Sequence, residues 1–125
     1  LLLVDGGALH GLDRLLRGLG LRTRRIAGGS QASERVAEAP WAIVFVDADG
    51  AFDALALCRA LRQGAAPAPA VVLVAAEVSD SDRVRGALAG CAAWLGNPPA
   101  LAELHATLWR HGVRLAPLAG SRRRP

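Results

Sequence analysis

Short apolar runs alternate with longer amphipathic stretches along the chain. Leu1–Asp5 has the length and composition of a strand. From Ala8 to Leu19, Leu9, Leu12, Leu15, Leu16 and Leu19 recur at helical spacing, and Gly20 ends that helix. Leu21–Ala27 predicts a second strand. Ser30, with Ser33 and Glu34, offers the polar first turn of a short helix running through Glu38. Trp41–Val46 is continuously apolar, as a central parallel strand buried on both faces requires. A helix from about Ala51 to Gln63 follows, then an apolar strand over Ala70–Ala75. The Ser79-Asp80-Ser81-Asp82 cluster marks a helix start, and that helix runs to about Ala89. Cys91–Leu95 is a fifth short strand. Pro99 sits in the first turn of a last helix that ends near His111. Gly112–Pro125, with Pro117, Gly120 and Arg122–Arg124, reads as a linker or tail.

Five strands alternating with five helices require a parallel sheet with helices on both faces and right-handed crossovers. For five such units the expected architecture is a flavodoxin-like α/β three-layer sandwich with strand order 2-1-3-4-5. Residues 1–111 would form this one domain. With 125 residues, 52% of them hydrophobic, the chain can bury a substantial core. No stretch of about 18 apolar residues exists to span a membrane. The apolar start, Leu1–Val4, meets Asp5 at once, so no signal peptide is expected. The chain begins at Leu1 and contains no Met, and is expected to be a piece of a longer protein. The net charge is +4, and every one of the 15 basic residues is Arg. The clusters Arg22, Arg24, Arg25 and Arg122–Arg124 read as a solvated strand edge and a linker, so nucleic acid is not the expected partner of this domain. Cys58 and Cys91 are too few for a metal motif. Their apolar surroundings suggest buried free thiols in a reducing, cytoplasmic compartment.

Ligands of such sheets bind beyond the carboxyl ends of the strands, where the strand order reverses. That point lies between the first strand, ending in Asp5, and the third, ending in Asp47, with Asp49 two residues on. Paired carboxylates there are a candidate site for a hard cation such as Mg²⁺. The alternative is that Asp5 and Asp47 cap neighbouring turns or helices. His10, His105 and His111 lack metal-ligand spacing and read as solvated helix positions. No glycine-rich nucleotide loop, P-loop or nucleophile elbow is present, so an enzyme is not expected. Trp109, on the flank of the Leu101, Leu104 and Leu108 stripe, serves either edge packing or a contact surface.

Several landmarks in order, Leu2-Leu3-Val4-Asp5, Ile43-Val44-Phe45-Val46-Asp47, Val71–Ala76 and Trp94-Leu95-Gly96-Asn97-Pro98, resemble those of the receiver domains of bacterial response regulators. The stretches Leu57–Arg62 and Arg83–Cys91 resemble that family's third and fourth helices. The resemblance implies that Asp47 is the candidate phospho-acceptor and that Asp5 and Asp47 hold Mg²⁺. The second member of the acidic pair is replaced by Gly6. Ala75 stands where the family has a hydroxyl residue, Asn97 where it has a Lys, and Trp94 at the aromatic switch position. Pro98 is retained, and the resemblance implies a cis Asn97–Pro98 bond. The loop after Asp47, Ala48-Asp49-Gly50-Ala51, is shorter than the family's and lacks its Pro-Gly.

These departures imply a degenerate receiver in two-component signal transduction. Mg²⁺ would bind weakly, with Asp49 a partial substitute for the missing acid. Asn97 brings no charge to a phosphoryl group, and Ala75 no hydroxyl. Function would then rest on protein–protein contact with a regulatory or kinase partner, or with an output domain of the same protein. The resemblance implies a homodimer through the fourth helix, fifth strand and fifth helix, presenting Arg83, Arg85, Trp94, His105 and Trp109. Two other readings stay open: a working receiver that accepts phosphate at Asp47 with Mg²⁺, and an unrelated flavodoxin-like binding module.

Overall fold

The computed structural model describes residues 1–28, 31–50, 52–64 and 68–115. The strands are β1 (Leu2–Asp5), β2 (Arg24–Ala27), β3 (Ile43–Asp47), β4 (Ala70–Ala75) and β5 (Ala93–Gly96). The helices are α1 (His10–Gly18), α2 (Ala32–Glu38), α3 (Ala54–Gly64), α4 (Asp80–Ala89) and α5 (Leu101–Arg110). All strand pairs are parallel and the order is β2-β1-β3-β4-β5, the flavodoxin-like sandwich expected from the alternation.

The two-residue alternation of strand side chains divides the core into two layers. Leu2, Val4, Val44, Val46, Val71 and Leu73 face Val36 of α2, Cys58 and Leu61 of α3, and Ala89 of α4. Leu3, Ile43, Phe45, Val72 and Val74 face Leu9, Leu12 and Leu16 on the α1 side, and Leu104 and Leu108 of α5. β4 is therefore apolar at every position, and β1 and β3 are apolar up to the aspartate that ends each. Ser79 and Asp82 form a reciprocal capping box that starts α4. Gly90 ends it with φ of +89°, a conformation open to glycine without a side-chain clash.

Several boundaries differ from the sequence expectation. β2 begins only at Arg24, whose N–H donates to Leu1 O, so Leu21–Thr23 form a connection. Trp41 lies outside β3; its indole N–H donates to Arg35 O at 2.8 Å and fastens the end of α2. β5 begins at Ala93 rather than Cys91. Pro99 precedes α5 instead of lying in its first turn, because Ala100 is the extended N-cap residue. Ser30 and Ala51 fall outside the described residues, and α2 and α3 start at Ala32 and Ala54. Packing continues past position 111: Val113 and Leu115 lie against the α1–α5 layer, so the linker expected over 112–125 does not begin at Gly112. Residues 116–125 lie outside the described residues. None of the described helices is long and apolar enough to cross a membrane.

Candidate functional site at the strand ends

Parallel pairing of β1 and β3 brings Asp5 and Asp47 to the same end of the sheet. Asp47 is wholly buried, yet each of its oxygens is engaged. Oδ2 accepts from the N–H groups of Gly6 and Ala8, both at 3.0 Å, and Oδ1 accepts from Asp49 N–H at 3.0 Å. The side chain thereby ties the turn after β1 to the turn after β3. Asp5 caps its own turn: Oδ1 accepts from Gly7 N–H at 2.7 Å and Leu9 N–H at 3.0 Å. Capping by both aspartates was one of the two readings open from sequence.

The other Asp5 oxygen faces Arg25 of β2, with Nε to Oδ2 at 3.7 Å. The Arg25 guanidinium also approaches Asp13 of α1 at 3.9 Å and contacts the ring of His10. Arg25 is thus not simply a solvated strand-edge residue; it turns back over the carboxyl end of β1. Asp13 is 5% exposed, accepts from Thr23 Oγ1, and pairs with Arg17 Nε at 3.1 Å. Burial pushes its pKa up, but the Thr23 hydrogen bond and the Arg17 and Arg25 charges outweigh that and hold it below the usual carboxylate value. A carboxyl that loses its proton more easily when folded stabilises the fold fully above its unfolded pKa of about 3.9. That stabilisation is lost as pH falls through the lower folded pKa. Denaturant titrations of the Asp13→Asn variant should therefore show a shallower loss of stability below about pH 4 than the unaltered chain. Equal slopes would show that Asp13 makes no such contribution.

Asp49 turns toward β4, where its Oδ2 accepts from Ala76 N–H at 2.8 Å. The β3 and β4 turns are therefore joined by a carboxylate beside the buried methyl of Ala75. Asn97 closes the third side: its Nδ2 donates to Ala8 O at 2.8 Å, linking the turn after β5 to that after β1. The Asn97–Pro98 bond is cis, as the resemblance implied.

Steric closure accompanies these bonds. A Cβ built on Gly6 would lie 2.5 Å from the Gly50 Cα, 3.2 Å from Asp47 Oδ2 and 3.3 Å from the Phe52 ring. A Cβ on Gly50 would meet that ring at 2.9 Å and the Gly6 Cα at 3.0 Å. Two bare backbones thus face each other at the position where a second acidic side chain would stand. No group of three or more metal-ligating side chains occurs among the described residues.

Away from the strand ends, Trp94 is half-buried and packs with the α2–α3–α4 layer. Its indole nitrogen lies directly under Gly86 of α4, where any Cβ would collide with it, and it has no hydrogen-bond partner. Arg83, His105 and Trp109 are exposed, and Arg85 is exposed while paired with Asp82 at 2.6 Å. Trp109 is 57% exposed, with the Arg114 guanidinium 3.8 Å from its ring centre. Sequence reasoning passed over Val84 and Leu88 and placed Leu101 in the core stripe with Leu104 and Leu108, but Leu101 is exposed; with Trp109 these three are the exposed large hydrophobic residues of α4 and α5. The signal was present in α4, where Val84 and Leu88 stand four apart beside Gly86, whose burial identifies the inner face. His10 and His105 are exposed as expected, but His111 is half-buried, with its Nε2 buried and without a partner.

No family model matches the chain, and no curated protein does. Solved structures do. A candidate response regulator of Chloroflexus aurantiacus aligns with a TM-score of 0.79 at 25% identity, covering 90% of this chain and 96% of its own. The receiver domain of a sensor histidine kinase from Pseudomonas aeruginosa, described with magnesium in its active-site cleft, gives 0.72 at 24% identity over 87% of this chain and 93% of its own. A receiver domain from Saccharomyces cerevisiae, crystallised with a histidine phosphotransfer protein, gives 0.76 at 18% identity over 89% and 86%. The structural neighbours of this chain include response regulators and receiver domains, and it has their fold.

Proposed function

We propose that this chain is a degenerate receiver domain whose acceptor site has become a fixed hydrogen-bonded bracket, and that it acts by protein–protein contact with phosphorylation weak or absent. The observation that carries this reading is the closure at Gly6 and Gly50 over an Asp47 whose oxygens are already engaged. A phosphoryl acceptor must present a carboxylate oxygen to the incoming phosphorus, and Mg²⁺ needs near-octahedral oxygen ligation. Here Asp47 oxygens accept backbone N–H groups, and Asp5 is shared between its own turn and Arg25. The donor set does not fit a tightly held Mg²⁺. Asp49, the candidate replacement ligand, is engaged with Ala76 instead.

The domain, residues 1–111 with the packed extension through Leu115, would work in the cytoplasm within a two-component system. Its partner would be a kinase or other regulatory protein, an attached output domain, or a second copy. The contact face is α4, β5 and α5, where Val84, Leu88, Leu101 and Trp109 leave apolar surface in water between Arg83, Arg85 and His105.

Exposure of the chain to acetyl phosphate with Mg²⁺, read by intact mass, tests the reading. No phosphoryl adduct is expected, and beryllofluoride should leave the tryptophan emission unchanged. A stoichiometric adduct that maps to Asp47 would establish the working receiver instead. The contact face is tested separately by sedimentation of the full chain. Trp109→Ala should weaken self-association by about thirtyfold, the scale of an aromatic hot spot, whereas Asp47→Asn should leave it intact. Loss of association in Asp47→Asn alone would overturn the proposal.

A further inference from the structure

Cys58 of α3 and Cys91, in the turn between α4 and β5, are both free thiols. Although 33 positions apart in sequence, they meet: Cys91 donates a hydrogen bond to the Cys58 sulfur across 2.7 Å. Neither belongs to the strand-end site. Cys58 is wholly buried, and its Sγ also faces the Ala89 carbonyl at 3.6 Å. Cys91 is only half-buried, contrary to the expectation that both would be inaccessible. Its chain neighbours Gly90 and Ala92 line an open hollow together with Arg62. Cys91 is the partly exposed member of the pair and the one a small oxidant meets first, with the buried Cys58 sulfur beside it.

We propose that Cys58 and Cys91 are a redox modification site: a peroxide-class oxidant joins them in a reversible disulfide that staples α3 to the α4–β5 turn. The sulfurs need approach by only about 0.6 Å to reach the bonded separation of about 2.05 Å. The Cys91 hydrogen bond, opposed by burial and aided by the Arg62 and Arg59 charges, holds the Cys58 thiol below its usual pKa. The same hydrogen bond, together with burial, pushes the Cys91 thiol up, so a pair that has lost one proton carries its charge on Cys58 and keeps the other proton on Cys91.

The chemistry balances with one peroxide. The Cys91 sulfur attacks a peroxide oxygen as its proton passes along the hydrogen bond to the Cys58 thiolate; an S–O bond forms, the O–O bond breaks, and the departing hydroxide takes up a proton as water. The Cys58 sulfur then attacks the resulting sulfenic sulfur. An S–S bond forms, the S–O bond breaks, and the Cys58 proton leaves with the hydroxyl as a second water. Two thiols are oxidised and one peroxide is reduced to two waters. A dithiol restores both thiols by exchange.

Treatment of the full chain with stoichiometric hydrogen peroxide, followed by denaturation and maleimide labelling, tests the proposal. A monomer that takes up no label, with a peptide joining Cys58 to Cys91, is expected. The closed loop should raise Tm by roughly 10 °C, reversed by dithiothreitol. Cys91→Ser, at a half-exposed position, should keep one labelled thiol and show no rise. Full labelling of the oxidised wild-type chain would overturn the proposal, as would a disulfide-linked dimer or a Cys91 sulfinic acid beside free Cys58.

Discussion

Asp47→Ala should lower the stability of this domain by about 3–5 kcal/mol, a fall in Tm of roughly 10–15 °C. The side chain is wholly buried and accepts from the N–H groups of Gly6, Ala8 and Asp49. Its truncation strands these donors together, and a donor left without its charged partner costs about 1–3 kcal/mol. The loss would spread beyond one residue, because those bonds join the turns after β1 and β3. Asp47→Asn should be milder, at about 1–2 kcal/mol. Its amide oxygen can still serve Gly6 and Ala8, while its NH₂ then faces the Asp49 N–H. Urea unfolding of the three chains checks the order wild type, Asn, Ala. A more stable Asp47→Asn chain would mean that the carboxylate is held among unneutralised charge, as in a pocket built to receive a cation. The bracket reading would then be wrong.

What could be read from the sequence follows from the range of the interactions involved. The apolar runs of β3 and β4 and the leucine stripe of α1 report burial directly, because every strand position or every helical turn repeats the same demand. The Ser79–Asp82 capping box is local and equally legible. Strand order followed from alternation and handedness. Arg25 was misjudged because its role depends on pairing between distant segments: β2 lies beside β1, with Arg25 opposite Leu3, and only then can its long side chain reach Asp5 and Asp13. Asp13 went unremarked for the same reason, since its partners Thr23 and Arg25 lie beyond α1. The resemblance marked Gly6 as standing in place of an acid, but the steric meaning of that glycine could not be read. It depends on Gly50, which reaches Gly6 only across the folded sheet. The meeting of Cys58 with Cys91 is of the same kind, since α3 and the α4–β5 turn become neighbours through the sheet.

An acid placed at position 6 should fail to create a cation site. In Gly6→Asp the new Cβ meets the Gly50 Cα at 2.5 Å, a contact with backbone that no side-chain rotation relieves. Shifting one of the two turns disturbs the Asp47 bonds to Gly6 and Ala8, so a loss of about 2–3 kcal/mol is expected, in the upper range for overpacking. The added carboxylate also enters beside Asp47 and Asp5 while Arg25 retains its place at Asp5. Millimolar Mg²⁺ should therefore leave the Tm of Gly6→Asp within experimental error of its metal-free value, since a ligand stabilises only what it binds. In Gly6→Asp combined with Arg25→Gln, the Asp5 oxygen loses its cation and a divalent ion gains a second ligand. A Mg²⁺-dependent rise in Tm is expected there first. If Gly6→Asp alone were as stable as the parent chain and gained stability from sub-millimolar Mg²⁺, Gly50 would have to yield easily. The closure over Asp47 would then be an adjustable feature of the turn, and the site would be one substitution away from an ordinary receiver.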